Sequence, residues 1–250
     1  MDAPSPIPDG VEPLPDPTWS VREPTPEDAD AIAALINEVT IREIGVRWTT
    51  AEEERDALTS PGGEHSLPET LVLDRDGDLI GYTNAMASSG EEVHLLVFTH
   101  PRVWGSGLSA WLIRLEEARV RERRPAGAPV RVSAFSGNEA AFRLFRSLGY
   151  EHVRTFWVME ITLEDAPPVP VSAEGIDIRS FERGRDERAV YAALSEAFED
   201  HWGSGMPSFE RWVHTDVEGS RSDLSVWFVA TDGDEVVGAA TCTTSSPHDE

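Results

Sequence analysis

The sequence predicts an α/β protein built on a mixed β-sheet with helices on its faces, followed by a second, smaller unit of the same type. Three observations lead to this fold class. Strand-like and helix-like patterns alternate over residues 18–163. A proline-rich stretch over 164–176 has the composition of a linker. Beyond it, short landmarks of the first unit recur in the same order over 177–250.

The first helix follows an acidic leader and a short strand. Residues 1–17 are rich in proline and have no apolar period, so we expect them to be disordered or extended. A short strand is predicted around 19–22. Thr25 and Pro26 then form a helix start, with a capping residue followed by proline at the first helical position. The apolar face of this helix consists of Ile32, Leu35, Ile36 and Val39.

The remaining elements of the first unit follow from turn residues and periodicity. A second helix is predicted to start at Thr50, and an Asp-Gly turn at Gly77 joins two β-rich runs into a hairpin. Three more strands are expected, over 93–99, 130–135 and 150–163. Two helices separate these strands, one after the glycine loop at 102–107 and one ending at Gly149.

Composition excludes several classes of protein. The chain has 250 residues, 40% of them hydrophobic, which supports a buried core. A net charge of −25 without a basic stripe argues against nucleic-acid binding, and it fits a cationic partner or simply high solubility. No apolar run of 18 residues and no signal sequence is visible, so we expect a cytoplasmic protein without a membrane partner. The single Cys242 cannot form an internal disulfide.

A glycine loop between a strand and a helix is the strongest local signal. Gly105 and Gly107 separate the apolar strand over 93–99 from an amphipathic helix. The start of a helix offers unpaired N–H groups and the positive end of its dipole, which together suit an anion such as a phosphate. Glycines allow the backbone to approach that anion closely. An ordinary turn remains the alternative.

Two motifs resemble the GNAT superfamily of acetyl-CoA-dependent N-acyltransferases over roughly residues 18–163. Residues 102–107, RVWGSG, fit the family's Q/R-x-x-G-x-G pyrophosphate loop. Residues 138–150 are similar to its second signature, N-x-x-A-x-x-L-Y followed by G-F. The resemblance implies acetyl-CoA as co-substrate, no metal ion, and acyl transfer to a primary amine of a small molecule or peptide.

The resemblance also implies which residues would bind the cofactor. Main-chain N–H groups of the loop would hold the pyrophosphate. The pantetheine arm would lie between the strands over 93–99 and 130–135, and a main-chain N–H there would polarise the thioester carbonyl. The residues implied are Val97, Phe98, Arg102, Val103, Trp104, Gly105, Ser106, Gly107, Leu108 and Asn138.

The candidate catalytic residues are Glu92 and His94. An attacking amine must be neutral, so a base is expected near the strand over 93–99. Glu92 precedes that strand at the place where some family members carry a glutamate base, although it also fits a solvated turn. His94 is the alternative base, or a packed histidine.

Two departures from the family pattern favour a second interpretation. Phe145 stands where the family usually has a tyrosine that protonates the leaving thiolate, and Trp104 replaces a basic residue. These changes leave open a non-catalytic acyl-CoA-binding or structural module.

An internal duplication is predicted for the C-terminal unit. Ile178 follows Val21 by the same number of residues as Gly238 follows Gly81. The segment "DGDEVVG" that ends at Gly238 is similar to "DGDLIG", which ends at Gly81. On this alignment the second copy over 177–250 ends before its own glycine loop, so we expect a truncated repeat. Its uncovered sheet edge would pack on the first unit or pair in a homodimer.

Overall fold

A five-stranded mixed sheet forms the framework of the N-terminal unit. The computed structural model describes residues 7–8, 10–60, 68–87, 92–123, 127–159, 161–169, 171, 173–202 and 206–243. The strands lie in chain order, as β1 Ser20–Arg22, β2 Thr70–Leu73, β3 Leu79–Ala87, β4 Val93–Thr99 and β5 Val130–Val132. Pairing is antiparallel from β1 to β4, and β5 pairs parallel to β4. The predicted mixed sheet is confirmed.

Four helices accompany this sheet. They are α1 Ala29–Ile44, α2 Ala51–Thr59, α3 Leu108–Arg123 and α4 Glu139–Ser147. The main-chain N–H of Thr25 donates to Asp28 Oδ2 at 2.7 Å, and a short 3₁₀ turn leads from there into α1. Thr50 caps α2 by accepting from the Glu53 N–H at 3.2 Å. Both helix starts predicted from the sequence are therefore present.

Each face of the sheet has its own apolar core. One core joins α1 to the sheet through Ile32, Leu35, Ile36, Val39, Leu71 and Tyr82, with Phe98 of β4 packed against it. The other joins α3 through Val72, Ile80, Leu108, Trp111, Leu112 and Leu115. Successive β4 side chains alternate between these two faces, which fixes the face on which each candidate residue lies.

The strand predicted over 150–163 is wrong. Among the described residues of this stretch none pairs as a strand, and β5 has β4 as its only partner in the sheet. Without a ladder or a covering layer, the apolar side chains of the stretch lie open to solvent. Trp157 is 83% exposed, and Phe156 is 64% exposed.

The expectation of a disordered leader is also wrong for residues 10–17. Val11 and Leu14 pack against the core beside α3. The indole N–H of Trp111 donates to the carbonyl of Glu12 at 2.7 Å. Apolar residues spaced among the prolines give this segment enough buried surface to order, which the overall composition of 1–17 concealed.

The C-terminal unit is a three-stranded antiparallel sheet with short helices. Strands β6 Ile176–Ser180, β7 Phe228–Asp232 and β8 Glu235–Ala240 pair in that order. Its helices are α5 Glu187–Ala197 and α6 Phe209–Trp212, followed by a π-helical turn at Val213–Val217 and a 3₁₀ turn at Leu224–Val226. The buried core includes Phe181, Val190, Trp212, Val217, Trp227 and Val229.

Polar contacts join the two units at α2. Asp56 accepts from the Ser220 N–H at 2.6 Å, and its carbonyl lies 3.1 Å from His214 Nε2. Arg221 forms an ion pair with Glu53 at 2.9 Å. Among the described residues, no helix has the length and apolar character needed to cross a membrane.

Candidate acetyl-CoA and acceptor site

The glycine loop has the backbone that its sequence predicts. Gly105 has φ +81° and Gly107 has φ +93°, a left-handed conformation that side chains other than hydrogen disfavour. A Cβ built on Gly105 would meet no atom within 4 Å. The loop is therefore open to solvent at the position where an anion would bind.

The main-chain N–H groups of this loop divide into two sets. Those of Val103, Trp104 and Ser106 donate to the carbonyl groups three residues before them, at 3.0, 3.2 and 3.1 Å. By contrast, the N–H groups of Gly105 and Gly107 have no acceptor among the described residues.

The first turn of α3 extends this set of N–H donors. The Leu108 N–H donates to Ser106 Oγ at 3.3 Å, and the Gly107 carbonyl accepts from Trp111. Ser109 and Ala110 therefore lie in the first turn, whose N–H groups have no acceptor inside a helix. Together with the two glycines they form a candidate anion site, supported by the dipole of the 16-residue helix.

Two side chains of the loop turn towards the protein. The guanidinium of Arg102 contacts Asp74 at 2.7 Å and Asp78 at 3.3 Å in the β2–β3 turn, so its charge is balanced there. Trp104 donates from its indole nitrogen to the Thr99 carbonyl at 2.8 Å. The loop would therefore bind an anion mainly through main-chain N–H groups.

A gap opens between β4 and β5 beside this loop. Their parallel pairing covers three register pairs and ends at Leu95 and Val132, while β4 continues to Thr99. The Val93 N–H donates to the Pro129 carbonyl at 2.9 Å, so alternate residues of β4 direct their main chain towards β5. Val97 is the next residue in this series beyond Leu95, and its main chain faces the gap.

Phe98 differs from Val97 in the direction of its main chain. It is the register partner of Tyr82, and the His100 N–H donates to the Ile80 carbonyl at 2.9 Å, so the even-numbered residues here face β3. The ladder with β3 already uses these groups. Of the two residues predicted to hold the pantetheine arm, Val97 has the main chain available.

His94 lies at the closed end of the gap. It is the register partner of Arg131, and its Nε2 lies 2.8 Å from Ser133 Oγ, just beyond the end of β5. Burial, and secondarily the positive charge of Arg131, hold the pKa of His94 below its ordinary value. The imidazole is therefore neutral near pH 7 and able to accept a proton.

Glu92 is engaged in an ion pair. Its carboxylate contacts the guanidinium of Arg131, and both side chains are largely buried. Accepting a proton would break that pair and leave the Arg131 charge without its partner. Of the two predicted bases, His94 is the one whose surroundings leave it ready to act.

The second motif has a structural role. Asn138 caps α4 by accepting from the Ala141 N–H at 2.8 Å, and its amide donates to Glu43 of α1. Phe145 packs edge-on against Phe142, with ring centroids 6.5 Å apart. Tyr150 is a further ring neighbour of Phe145, but its hydroxyl donates to Glu117.

Three residues that the sequence analysis did not identify complete the site. Arg131 and Ser133 flank His94, and Trp202 from the C-terminal unit lies over Arg131. The parallel register of β4 and β5 brings Arg131 and Ser133 beside His94. Because alternate side chains of a strand lie on the same face, the sequence of β5 could have suggested both residues. No sequence signal pointed to Trp202, because its contact joins residues far apart in the chain.

Comparisons with known proteins agree with this geometry. The sequence pattern of the acetyltransferase (GNAT) family matches residues 34–150. A mycothiol acetyltransferase of Thermobispora bispora is 32% identical over 208 residues, which cover 83% of this chain and 64% of that protein. One from Amycolatopsis mediterranei is 29% identical over 198 residues, 78% of this chain and again 64% of that protein. The chain thus spans 64% of the length of these two relatives.

A solved structure extends the likeness over most of the chain. The crystal structure of a GCN5-related N-acetyltransferase from Sphaerobacter thermophilus is 31% identical and superposes with a TM-score of 0.69. The match covers 92% of this chain and 73% of that protein. Together with the glycine loop and the parting of β4 and β5, this similarity shows that the chain belongs to the GCN5-related N-acetyltransferase (GNAT) family.

Proposed function

We propose that the protein transfers the acetyl group of acetyl-CoA to the primary amine of a small molecule. One observation carries the proposal. The gap between β4 and β5 begins beside His94 and Ser133, passes the main chain of Val97, and ends at the open loop around Gly105. A single molecule with a phosphate group at one end and a reactive carbonyl at the other would fit this path.

Binding would begin at the loop. The N–H groups of Gly105 and Gly107, with those of the first turn of α3, would donate to the pyrophosphate oxygens. The pantetheine amides would then pair with the Val97 main chain in place of a neighbouring strand. Residues 94 to 97 are about 10 Å apart along a strand, so the thioester would lie near His94.

The acetyl-transfer step uses the neutral imidazole. The His94 imidazole would accept a proton from the attacking amine, whose nitrogen forms a bond to the thioester carbonyl carbon. A main-chain N–H of β4 would stabilise the negative charge that develops on the carbonyl oxygen. When the carbon–sulfur bond breaks, the electron pair leaves with the CoA thiolate, which is stable enough to depart unprotonated because thiols have a pKa near 8.5.

The acceptor would approach from the α1 face of the sheet. His94 lies on that face because it alternates with Val93 and Leu95, which are buried against α3. The relatives at about 30% identity are named for acetylation of mycothiol. The unacetylated form of mycothiol is therefore the first acceptor to test, followed by other small primary amines.

A second candidate function is acyl-CoA binding without catalysis. Phe145 offers no hydroxyl to the leaving thiolate, and Tyr150 directs its hydroxyl to Glu117. Such a protein would bind acetyl-CoA and release no free thiol with any amine.

Two measurements separate these functions. Calorimetric titration with acetyl-CoA reports binding, and thiol release with a panel of amines reports transfer. We expect His94→Gln to retain acetyl-CoA affinity and to lose most of the turnover, with His152→Gln as a matched control on an exposed histidine. Undiminished turnover in His94→Gln would refute its role, and binding without thiol release would favour the second function.

We also propose that the C-terminal unit repeats the start of the N-terminal one. In each unit the first strand pairs with a hairpin, and the leading strand of that hairpin contains a register shift. In each, an arginine of the first strand pairs with an aspartate before the first helix, Arg22 with Asp28 and Arg179 with Asp186. A duplication accounts for both similarities. An alignment of related sequences would test it, because a duplication predicts that both arginine–aspartate pairs recur at matching positions of the two units.

A further inference from the structure

Arg131 is the point where the C-terminal unit reaches the candidate site. Its guanidinium forms an ion pair with Glu92, and its position on β5 is in register with His94. From the other side, the indole of Trp202 covers it, with the guanidinium carbon 3.6 Å from the ring centroid. At this distance the cation lies directly on the face of the ring, where the attraction is strongest.

Trp202 belongs to a small cluster of its own. The ring of Phe156 lies 5.9 Å from it, and the Arg154 guanidinium lies 5.1 Å away. It lies after α5, outside the stretch that matches the GNAT sequence pattern. The cluster therefore links a residue of the C-terminal unit to β5 of the N-terminal unit.

We propose that Trp202 is a positioning residue of the acetyltransferase site, and that its stacking on Arg131 holds the guanidinium beside Glu92 and His94. The inference rests on the proposed function, in which His94 is the base. It goes further by assigning to the C-terminal unit a contribution to the chemistry of the N-terminal one. The ring excludes water from one face of Arg131, which limits both its movement and the screening of its charge.

The charge of Arg131 acts on His94 through a simple mechanism. A fixed positive charge disfavours the imidazolium and keeps His94 neutral, as burial also does. Three acidic side chains on elements around β4 are engaged elsewhere. Glu43 of α1 binds Asn138, Glu69 before β2 binds Tyr82, and Glu116 of α3 binds Arg119 on the opposite face.

The test measures the pKa of His94 directly. Its imidazole resonances are identified by their loss in His94→Gln and then followed by NMR over a pH titration of the full chain without ligands. We expect Arg131→Met and Trp202→Ala to raise the pKa of His94, the first variant more than the second. Trp202→Phe should retain most of the wild-type value because it keeps a ring over the guanidinium.

Trp157→Ala is the matched control. It removes the same side chain from an exposed position outside the cluster, and it should leave the His94 titration unchanged. Far-UV circular dichroism of each variant would show that the fold is intact.

The pH dependence of kcat/KM supplies a second readout. A base must be unprotonated to act, so a higher pKa moves the acidic limb of the profile to higher pH. We expect this movement in Trp202→Ala, whereas the acidic limb of Trp202→Phe should stay close to its wild-type position. A His94 titration unchanged in Trp202→Ala would overturn the inference. A shifted titration with an unshifted rate profile would support the inference and instead refute His94 as the base.

Discussion

Substitution of Gly105 by glutamate tests the anion site at its most open point. The backbone there has φ +81°, and a new side chain would meet no protein atom within 4 Å. The folding cost is therefore mainly that of a left-handed residue with a Cβ, about 1 kcal/mol. The larger effect concerns the ligand, because the added carboxylate would lie beside the proposed pyrophosphate site.

The expected loss of affinity follows from Coulomb's law. Two like charges about 6 Å apart at an effective dielectric constant of about 20 repel by about 3 kcal/mol. One such pair would weaken acetyl-CoA binding roughly a hundredfold. Higher salt should restore part of this affinity, because it screens exposed charges.

Titration calorimetry with acetyl-CoA measures this effect, and Gly175→Glu provides its control. Gly175 has φ +83° and equally open surroundings, and it lies in the linker before β6. The two variants should lose similar stability in thermal unfolding. Equal acetyl-CoA affinity in Gly105→Glu and Gly175→Glu would refute the assignment of this loop to phosphate.

Two further predictions concern stability. Asp186→Asn should lower the free energy of unfolding by about 1–3 kcal/mol, since it removes a charged hydrogen-bond partner of Arg179. The Arg179 hydrogen bond lowers the pKa of Asp186. The stability that the ionised Asp186 contributes is therefore present above about pH 4 and lost as pH falls further. Urea unfolding as a function of pH should show this loss in the wild type and not in the variant. Trp111→Phe removes the hydrogen bond to the Glu12 carbonyl, costs about 1 kcal/mol, and should speed proteolysis within residues 10–17; an unchanged cleavage rate would contradict the packing of that segment.

Local signals determined much of the N-terminal unit. The capping residues Thr25 and Thr50, the alternation of β4, and the glycines of the loop act over a few neighbouring residues, so the sequence predicts their structure directly. The loop at 102–107 was predictable for the same reason. Its conformation needs glycine at particular positions, wherever the rest of the chain lies.

The partners of each side chain were decided by the tertiary structure. Glu92, just before β4, and His94, on β4, are two residues apart, yet one is held by Arg131 and the other faces Ser133. Sequence reasoning placed both near the site, with Glu92 as the first candidate base and His94 as the alternative, because the β5 residues that distinguish them are distant in the chain. Likewise, Arg102 matches the motif but pairs with Asp74 of a hairpin that only folding brings beside it.

The ordering of residues 10–17 and the exposure of 151–159 have the same origin. Both segments contain apolar residues between polar ones, and the difference lies in what surface is available to them. The first packs against the side of α3, where Trp111 binds its main chain, whereas the second lies beside β5, which among the described residues pairs only with β4. The sequence by itself determined the glycine loop and most strands and helices of the N-terminal unit, which depend on neighbouring residues; only the tertiary structure decided the charge environment of His94 and the contact with Trp202, because these depend on groups distant in the chain.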